Sequence, residues 1–550
     1  MRIAPTPHMP IHASTLRAAE EKSTWRMFLL LLGAGAVLAP LLVLAGAIIG
    51  TKYIVIVLVA LLLGVAIVSR PMLGLYVITI CVALVDQAPL PTPILTDTLP
   101  IFYWPSSLTG LPERPIGFLL LLVVLVFAFH RLLKRERPLW GGPLFWPFVL
   151  FLLAVAIGVV HGLTSGGIVN IIVLEVRPLW YLFVAYLLAY NMLFQKRQVR
   201  SLIWILIIGA AIKGVQGTYI YLVVFHGNLV GHNEIMSHEE SFFFVAMLLL
   251  LLLFCMHSRY RPQLIALLLS MPFVLLATVG NQRRADYIAL LVGILVAWTL
   301  IYLVKPAARQ RMLVGMLIAA VLGAGYVLAF SHSSASIAQP ARAVSSIFNP
   351  SAADPRDASS NLYRQTENDD LKFTVKQSPL IGWGFGKPFL QPVPLPDITG
   401  LDPYFNYIPH NTIFWIWMRL GGIGYILLWY LLGAAIVRGC MIVRRLRDAY
   451  LQLLAIFIVA ITVMEVIVAY ADYQLFFFRN VLYLGLLLGL LMRLPALDEA
   501  EDKEPFTHET AHGIRSAAPT KVGSRRAKLL SPESAGAATH RLVTGVPSQE

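Results

Sequence analysis

The sequence is poor in charge and in cysteine. Only 13% of its 550 residues are charged, about half the share found in an average soluble domain. The three cysteines, Cys81, Cys255 and Cys440, lie in or beside apolar runs, and none is spaced as in a metal site or a redox pair. The low charge argues against a soluble globular protein, and the cysteine spacing argues against thiol-based metal or redox chemistry.

Long apolar runs dominate the chain instead. Hydrophobic residues make up 58% of it, and apolar runs of about 18 or more residues recur along its length, as in membrane helices. Strands of an outer-membrane barrel would alternate over about ten residues. We predict an all-α polytopic membrane protein, a bundle of about 12–14 transmembrane helices. The candidate helices are 27–49, 53–69, 72–87, 116–133, 143–161, 167–193, 200–224, 241–257, 263–280, 284–304, 312–330, 411–437, 450–471 and 474–492.

The basic residues favour one orientation of these helices. With the N-terminus inside, Lys and Arg concentrate in the inside segments, whereas the short outside connections at 162–166 and 225–240 contain neither. The net charge of +14 is therefore typical of the positive-inside rule. The sequence predicts a protein of the lipid bilayer with no nucleic-acid partner.

One long polar segment, at 331–410, interrupts the apolar runs, and the predicted orientation places it outside the cytoplasm. A mixed-charge tail rich in Ala, Ser and Pro follows the last apolar run, which is typical of disorder. The predicted organisation is a cytoplasmic segment at 1–26, helices over 27–330, a long extracytoplasmic loop at 331–410, helices over 411–492 and a disordered cytoplasmic tail at 493–550.

Charged residues inside the predicted helices are the sharpest functional signal, because each is costly in a membrane unless it is paired or hydrated. Most of them fall in the outer half of the bilayer, counted at about 1.5 Å per residue. Glu465 and Arg479 are expected to form an internal ion pair across a short turn. The charged residues are Glu175, Arg177, Lys213, Arg283, Arg284, Asp286, Arg419, Glu465 and Arg479.

Arg283 and Arg284 need a further partner. Adjacent cations cannot neutralise each other, and Asp286 can pair with only one of them. A guanidinium binds phosphate in a fork geometry. The pair therefore predicts an anion such as a phosphate arriving from outside.

The segment 225–240 carries three histidines and three glutamates. Such a density can bind metal, but the spacing matches no firm ligand motif. We interpret it as a solvated polar loop, with a metal site as the alternative.

The long loop contains two local signals. The sequence predicts a short helix from about Asn361 to Gln377, with apolar contacts at Leu371, Phe373 and Val375, and then a tight turn at 382–386, where glycine alternates with Trp and Phe. Pro409 disfavours helix at the residue before it, so the next helix is expected to begin near His410 and Asn411. His410 would then lie at the mouth of an outward-facing polar cavity.

These residues resemble the O-antigen ligase and polymerase superfamily of bacterial membrane glycosyltransferases. Three elements carry the resemblance, over roughly residues 165–440: a helix opened by Arg283-Arg284-Ala285; the loop with Arg364 and the run Pro379-Leu-Ile-Gly-Trp-Gly-Phe-Gly386; and His410-Asn411 before a helix with a glycine cluster at 421–424. The usual Ser-Arg-Gly stands here as Arg-Arg-Ala. Arg284 fits the family arginine better, because a small residue follows it.

The resemblance implies a GT-C-like bundle in the bacterial inner membrane with its active site facing the periplasm. It further implies a glycosyltransferase, independent of metals and cofactors, that moves a glycan from an undecaprenyl-diphosphate carrier to an acceptor hydroxyl. The acceptor would be a growing glycan in a polymerase, as for exopolysaccharide, or lipid A-core in a ligase. Polysaccharide assembly or export proteins are then possible partners.

The resulting hypothesis assigns a role to each candidate residue. His410, Arg284 and Arg283 are the predicted catalytic residues, with His410 as base and the arginines on the leaving diphosphate. A solute or ion transporter is the alternative, because polar groups within a bundle also mark transport paths. A non-enzymatic assembly scaffold is a third reading. The predicted substrate-binding residues are Arg177, Arg364, Asn411 and Arg419.

Overall fold

The computed structural model describes residues 51–87, 96, 99, 101–103, 113–229, 234–257, 260–333, 335, 338–348, 355–400 and 403–502. The predicted segment 1–26 and the predicted helix 27–49 lie outside these residues. So does the predicted tail from 503 onward, whereas its first residues, 493–502, continue the last helix.

The described residues form helices and connections, with no β-strand among them. A π-helical turn, Ile220–Val224, follows the helix that ends at Tyr219, and a 3-10 turn, Gln474–Phe476, precedes the helix that begins at Phe478. The helices are α1 Thr51–Ser69, α2 Pro71–Leu84, α3 Pro115–Leu133, α4 Phe145–Thr164, α5 Val169–Met192, α6 Lys196–Tyr219, α7 His238–His257, α8 Arg261–Asn281, α9 Arg284–Val304, α10 Arg309–Phe330, α11 Gln339–Phe348, α12 Pro355–Gln377, α13 Thr412–Arg445, α14 Ala449–Ala469 and α15 Phe478–Asp502.

The prediction of an all-α polytopic membrane protein is confirmed. Among the described residues, 11 helices are long and apolar enough to cross a membrane. Each predicted apolar helix from 53 onward corresponds to one observed helix. The short helix α2 ends at Leu84 instead of 87, and α15 begins at Phe478 because the preceding residues form the 3-10 turn.

Helix boundaries follow local capping chemistry. Asn411 caps α13, its side chain accepting the backbone N–H of Phe414 at 3.0 Å, and Asp448 caps α14 in the same way at Leu451. Proline stands in the first turn of α2, α3 and α8, where the missing N–H costs nothing. The predicted start of a helix at His410-Asn411 is thus confirmed to within a residue or two.

The core of the bundle lies around α14 and α15. In each of them 83% of the membrane-spanning window is buried, whereas none of the window is buried in α10, which lies at the edge. The beginnings of α7, α9, α13 and α15 and the end of α14 meet at one end of the bundle, called here the His410 end. There, for example, the Thr412 hydroxyl donates to the backbone oxygen of Asp472 at 3.1 Å.

The predicted loop 331–410 contains two helices, α11 and α12. Helix α12 begins at Pro355, six residues before the predicted start, and ends at Gln377 as predicted. Leu371 and Val375 are buried as expected, but Phe373 is 42% exposed, so the prediction that it makes a core contact is wrong. Its place on the inner face is taken by Thr374, because positions 371, 374 and 375 share one face of a helix.

Candidate active site

Helix α12 presents a polar stripe to the His410 end. Asn361, Arg364, Glu367 and Asn368 follow the three- and four-residue spacing of one helix face, and Leu371 continues that face into the core. Asn368 accepts a 2.9 Å hydrogen bond from the side chain of Asn411. The stripe thus joins the long polar segment to the bundle through side chains.

Glu367 fixes the position of His410. One Glu367 oxygen accepts the backbone N–H of His410 at 3.0 Å, and the other lies 3.1 Å from its Nδ1. A carboxylate only accepts, so Nδ1 carries the proton and Nε2 is left as an acceptor. The Glu367 side chain is 1% exposed and that of His410 is 18% exposed. The histidine therefore reaches solvent while its orienting carboxylate does not.

Two tyrosines flank His410. The ring centroid of Tyr473 lies 5.0 Å away, and that of Tyr363 lies 5.6 Å away in an edge-on arrangement. Tyr473 stands in the connection between α14 and α15, and Tyr363 stands on α12. Aromatic contacts of this kind restrict ring orientation, so His410 is held by side chains from two elements, α12 and the connection between α14 and α15.

A second histidine, His238, lies on the other side of Tyr473, with ring centroids 6.0 Å apart and nearly parallel. Its Nε2 lies 3.0 Å from a Glu234 oxygen, and its Nδ1 lies 3.4 Å from Asp472. Arg283 pairs with the same Glu234 oxygen. The His410 end thus contains a compact group of alternating charge beside the candidate base.

Two carboxylates of this group, Asp472 and Glu234, lie outside the helices, and the pKa of each is below its ordinary value. Burial would raise the pKa of Asp472, but His238, Arg283 and Arg364 hold that pKa well below its usual range. Burial opposes ionisation of Glu234 as well, and Arg283 and His238 together keep its pKa below the ordinary value. Arg364 is therefore brought to this group through Asp472.

The two adjacent arginines have different surroundings. Arg283 faces inward to Glu234, which neutralises it. Arg284 Nη2 donates to the Asn361 side chain of α12 at 3.0 Å, in an exposed contact. Asp286 is buried beneath them. The partner of Arg283 within the protein is thus Glu234. The sequence had offered only Asp286 as a partner.

The predicted ion pair between Glu465 and Arg479 is wrong. Arg479 pairs with Glu240 and, at 3.5 Å, with Glu239. Both glutamates belong to the first turn of α7, which meets the start of α15. Glu465 lies beside Asp286 and Asn480 instead.

The interpretation of 225–240 as a solvated polar loop is also wrong for its last residues. Glu239 and Glu240 are each 1% exposed. Lys213, 0% exposed, lies 3.2 Å from Glu240 and 2.6 Å from Asp86. The high density of charged residues at the end of this segment therefore reflects ion pairs buried in the bundle. Within the part of the chain that the structure describes, no group of three or more His, Cys, Asp or Glu has a metal-binding arrangement.

Arg419 holds the glycine turn in place. Its guanidinium donates to the backbone oxygens of Gly384, Lys387 and Tyr407 at 2.7–3.0 Å and lies 2.5 Å from Glu175. Both charged side chains are 0% exposed. The structure therefore shows Arg419 positioning the turn, and its contact with substrate stays a prediction.

The alternating glycines allow backbones to touch. Gly382, Gly384 and Gly386 all have φ between 81° and 89°, a region that costs other residues strain. A Cβ on Gly384 would lie 2.9 Å from Gly162 of α4, and one on Gly382 would lie 2.4 Å from Gly421 N at a kink in α13. Phe385 is 0% exposed and packs on Trp415, so the turn is a packing corner.

Arg177 lies in a separate polar group. Its Nε is 3.4 Å from Glu113, which also accepts the hydroxyl of Tyr181, and its guanidinium lies over the ring of Phe478 at 5.8 Å. Phe478 is the first residue of α15, so this group is also at the His410 end. The group joins α5 to the segment just before α3 and to the start of α15.

An apolar groove runs between α9 and α10, below Arg284. It encloses about 660 Å³, and α11 lines it at the His410 end, where the Tyr287 hydroxyl donates to Gln339 at 3.2 Å. Arg284, Tyr287, Leu291 and Leu295 occupy one face of α9. The groove therefore extends along the same helix face as this arginine.

Sequence reasoning missed Glu367, His238, Asp472 and Tyr473. The spacing of Asn361, Arg364, Glu367 and Asn368 was a usable signal, because four polar residues on one helix face followed by Leu371 indicate a docked face. The other three carry no local signal. Their partners come from other helices, and only the packing of helix ends brings them together.

The family comparison agrees with this geometry. Residues 245–429 match the model of the O-antigen ligase family. The matched segment includes Arg283, Arg284, Glu367 and His410, whereas Arg177 and His238 precede it. No curated protein matches the chain. The resemblance inferred from the sequence is thus confirmed: residues 245–429 are similar to the O-antigen ligase domain, and this match supports a membrane enzyme of surface polysaccharide assembly.

Proposed function

We propose that the protein transfers a glycan from an undecaprenyl-diphosphate carrier to an acceptor hydroxyl. The observation that carries the proposal is the His410–Glu367 pair, a histidine with a fixed acceptor nitrogen, within the O-antigen ligase domain. A general base needs this arrangement, because it must receive a proton from a defined direction. Arg284 and the apolar groove supply the features that a lipid-linked diphosphate needs.

The donor is proposed to lie along α9. Its polyisoprenyl chain occupies the groove between α9 and α10, which spans about 16 Å from Tyr287 to Trp298 at 1.5 Å per residue. Its diphosphate meets Arg284 at the end of the same helix face. The guanidinium stabilises the charge that develops on the diphosphate as the glycosidic bond to it breaks.

The acceptor is proposed to approach His410 from the solvent side. Nε2 takes the proton of the attacking hydroxyl while its oxygen bonds to the anomeric carbon, and Glu367 stabilises the imidazolium that forms. Asn411 holds the helix start and α12 together. Arg283 and Arg364 balance Glu234 and Asp472, so their proposed role is to shape the site's charge, with Arg177 as a further phosphate candidate.

The proposed location is the bacterial inner membrane with the His410 end facing the periplasm. The positive-inside pattern supports this orientation. The acceptor is either a growing glycan or lipid A-core. Deletion of the gene followed by surface glycan analysis distinguishes them: loss of long exopolysaccharide indicates a polymerase, and lipopolysaccharide capped only with core indicates a ligase.

The transfer itself is tested with purified protein, a lipid-linked glycan donor and a candidate acceptor. His410→Ala is expected to lose activity by a factor of about 10²–10⁴, the usual contribution of a general base. Arg284→Ala is expected to weaken donor binding. Full activity in His410→Ala would show that His410 is not the base. Unchanged donor affinity in Arg284→Ala would show that this arginine does not bind the phosphate.

A further inference from the structure

A second polar cavity lies at the opposite end of the bundle. It has a volume of about 390 Å³ and is lined by residues from the end of α3, the end of α5 and α15. One of them, Arg493, follows Arg479 by 14 residues along α15, or about 21 Å. The cavity is therefore remote from the candidate active site. Its lining residues are Arg131, Trp140, Tyr190, Asn191, Phe194 and Arg493.

The Arg493 guanidinium is held in place through its Nε atom. Its Nε donates to the backbone oxygen of Leu193 at 2.9 Å, and its carbon lies 5.0 Å from the ring centroid of Phe194. Among the described residues, no hydrogen bond to the protein uses its two Nη atoms. A guanidinium held by Nε alone presents its remaining donors in a rigid fork.

Arg131 supplies a second guanidinium from α3. Its Nε donates to the backbone oxygen of Arg137 at 2.8 Å. Its Nη2 lies 3.2 Å from Glu136, whose side chain is 48% exposed. An ion pair as exposed as this contributes little, so Glu136 is a weak competitor for an incoming anion.

The wall between the two arginines is preformed. Asn191 accepts the backbone N–H of Trp140 and donates to its backbone oxygen, each at 2.8 Å. This paired bond fastens the connection after α3 to the end of α5. The cavity thus keeps its shape without a ligand, which reduces the ordering cost of binding.

The surroundings select the kind of anion. Trp140 and Phe194, which line the cavity, are 51% and 43% exposed, and Leu132 and Leu133, which follow Arg131 in the chain, are 57% and 68% exposed. Trp and Arg at helix ends are typical of the headgroup level of a bilayer. An anion with acyl chains would place its phosphate between the arginines and its chains on these side chains, whereas free phosphate would leave them in contact with water or lipid.

We propose that this cavity binds the phosphate of an anionic phospholipid headgroup on the membrane face opposite His410. Two guanidiniums from separate helices contact the phosphate, and the exposed apolar side chains contact its acyl chains. The lipid would join α3, α5 and α15 at that face. The proposal is independent of the reaction performed at the His410 end.

Native mass spectrometry of the full-length protein in neutral detergent tests the site. The protein is expected to retain phosphatidylglycerol at a concentration about tenfold lower than phosphatidylcholine, as one additional charge-assisted contact would give. Arg131→Gln combined with Arg493→Gln should abolish that preference. The matched control, Arg444→Gln with Arg445→Gln, changes two exposed arginines at the same face and should retain it.

Three results would overturn the proposal: an unchanged preference in the Arg131/Arg493 double variant, an equal loss in the control, or displacement of phosphatidylglycerol by an equal concentration of inorganic phosphate. The last would indicate a site for soluble anions. If the double variant does not fold, Arg493→Lys replaces it. Lysine keeps the charge but lacks the fork, so a partial loss of preference supports the proposal and no loss contradicts it.

Discussion

At the scale of single residues, the role of a charged group depends more on its surroundings in the fold than on its residue type. Arg283 and Arg284 are neighbours, yet Arg283 pairs with the partly buried Glu234 and Arg284 faces α12. Arg419 belongs to the predicted substrate set but is fully buried on three backbone oxygens. His410 combines partial exposure with an orienting carboxylate, Glu367, that is 1% exposed. These differences lead to separate mutational expectations.

Glu367→Gln is expected to reduce kcat while leaving donor KM nearly unchanged. A glutamine can turn its NH2 group towards Nδ1, which favours the tautomer with the proton on Nε2, the nitrogen that must accept. We expect a loss of about 10²-fold, at the lower end of what general bases contribute. Steady-state kinetics of glycan transfer measures it. The control is Asp369→Asn on the same helix, because Asp369 is 61% exposed and pairs only with Lys372 nearby. Equal effects of the two variants would remove Glu367 from this role.

Arg283→Gln is expected to destabilise the fold, since it leaves the partly buried Glu234 carboxylate without its main cation. Breaking a fully buried pair costs about 3–5 kcal/mol, and a smaller loss is expected here because the two side chains are 16% and 26% exposed. The double variant with Glu234→Gln should recover most of this loss, because neither charge is then left alone. The Tm in detergent measures both. A double variant no more stable than Arg283→Gln would show that the pair is not the cause.

The stabilising effect of Asp472 should depend on pH in one direction. Its pKa is depressed in the folded protein, so its contribution is complete above the unfolded pKa of about 3.9 and is lost as the pH falls towards the folded value. The difference in Tm between the wild type and Asp472→Asn is expected to stay constant between about pH 6 and pH 5, where the partner imidazole of His238 carries its charge, and to shrink below about pH 4. A difference that shrinks already between pH 6 and pH 5 would contradict this.

At the scale of elements, two pieces of the long polar segment dock on the bundle in different ways. Helix α12 docks through side chains, with Asn361, Glu367 and Asn368 each bonded to a helix end. The glycine corner docks through backbone, with the Trp383 N–H donating to Met418 O at 2.6 Å and the Gly422 N–H to Pro379 O at 2.7 Å. The corner therefore depends on the absence of side chains.

Gly384→Ala is expected to destabilise the protein by about 1–3 kcal/mol, since the new Cβ meets Gly162 and the φ of 81° suits only glycine. The drop in Tm and in membrane abundance measures this. Gly433→Ala is the control, because a Cβ at that helical position has nothing within 4 Å. It should be neutral or slightly stabilising. An equal loss in both variants would argue against close backbone packing.

At the scale of the whole molecule, two ends of one bundle are proposed to serve different purposes. The His410 end gathers the candidate base, the arginines and the mouth of the apolar groove, and the opposite end holds the proposed phospholipid cavity. The proposed transfer reaction requires a lipid-linked donor to reach the first of these ends from the membrane. The groove beside α10, the least buried of the spanning helices, provides such a lateral path.

The orientation of the bundle can be measured by cysteine labelling. The three native cysteines are replaced by alanine, and then Gly400→Cys marks the long segment while Arg445→Cys marks the opposite end; both positions are exposed. An impermeant maleimide is expected to label Gly400→Cys in intact spheroplasts and Arg445→Cys only after permeabilisation. The reverse pattern would place His410 in the cytoplasm and contradict the proposed orientation.

The sequence by itself determined the helices and the positions of their ends. Membrane helices are set by local quantities, the length of an apolar run and the residues that cap it, so predicted helices such as 284–304 coincide with observed ones. It also placed His410 at a helix start, because Pro409 and Asn411 act locally.

The tertiary structure alone decided which charged groups meet. Glu367 and His410 are 43 residues apart, and Arg479 and Glu240 are 239 apart. Their pairing depends on which helix ends are neighbours, a property of packing that no local pattern contains. The same packing makes Arg419 the anchor of the glycine corner, because a guanidinium buried in a bundle must bond to the carbonyls and carboxylates that surround it.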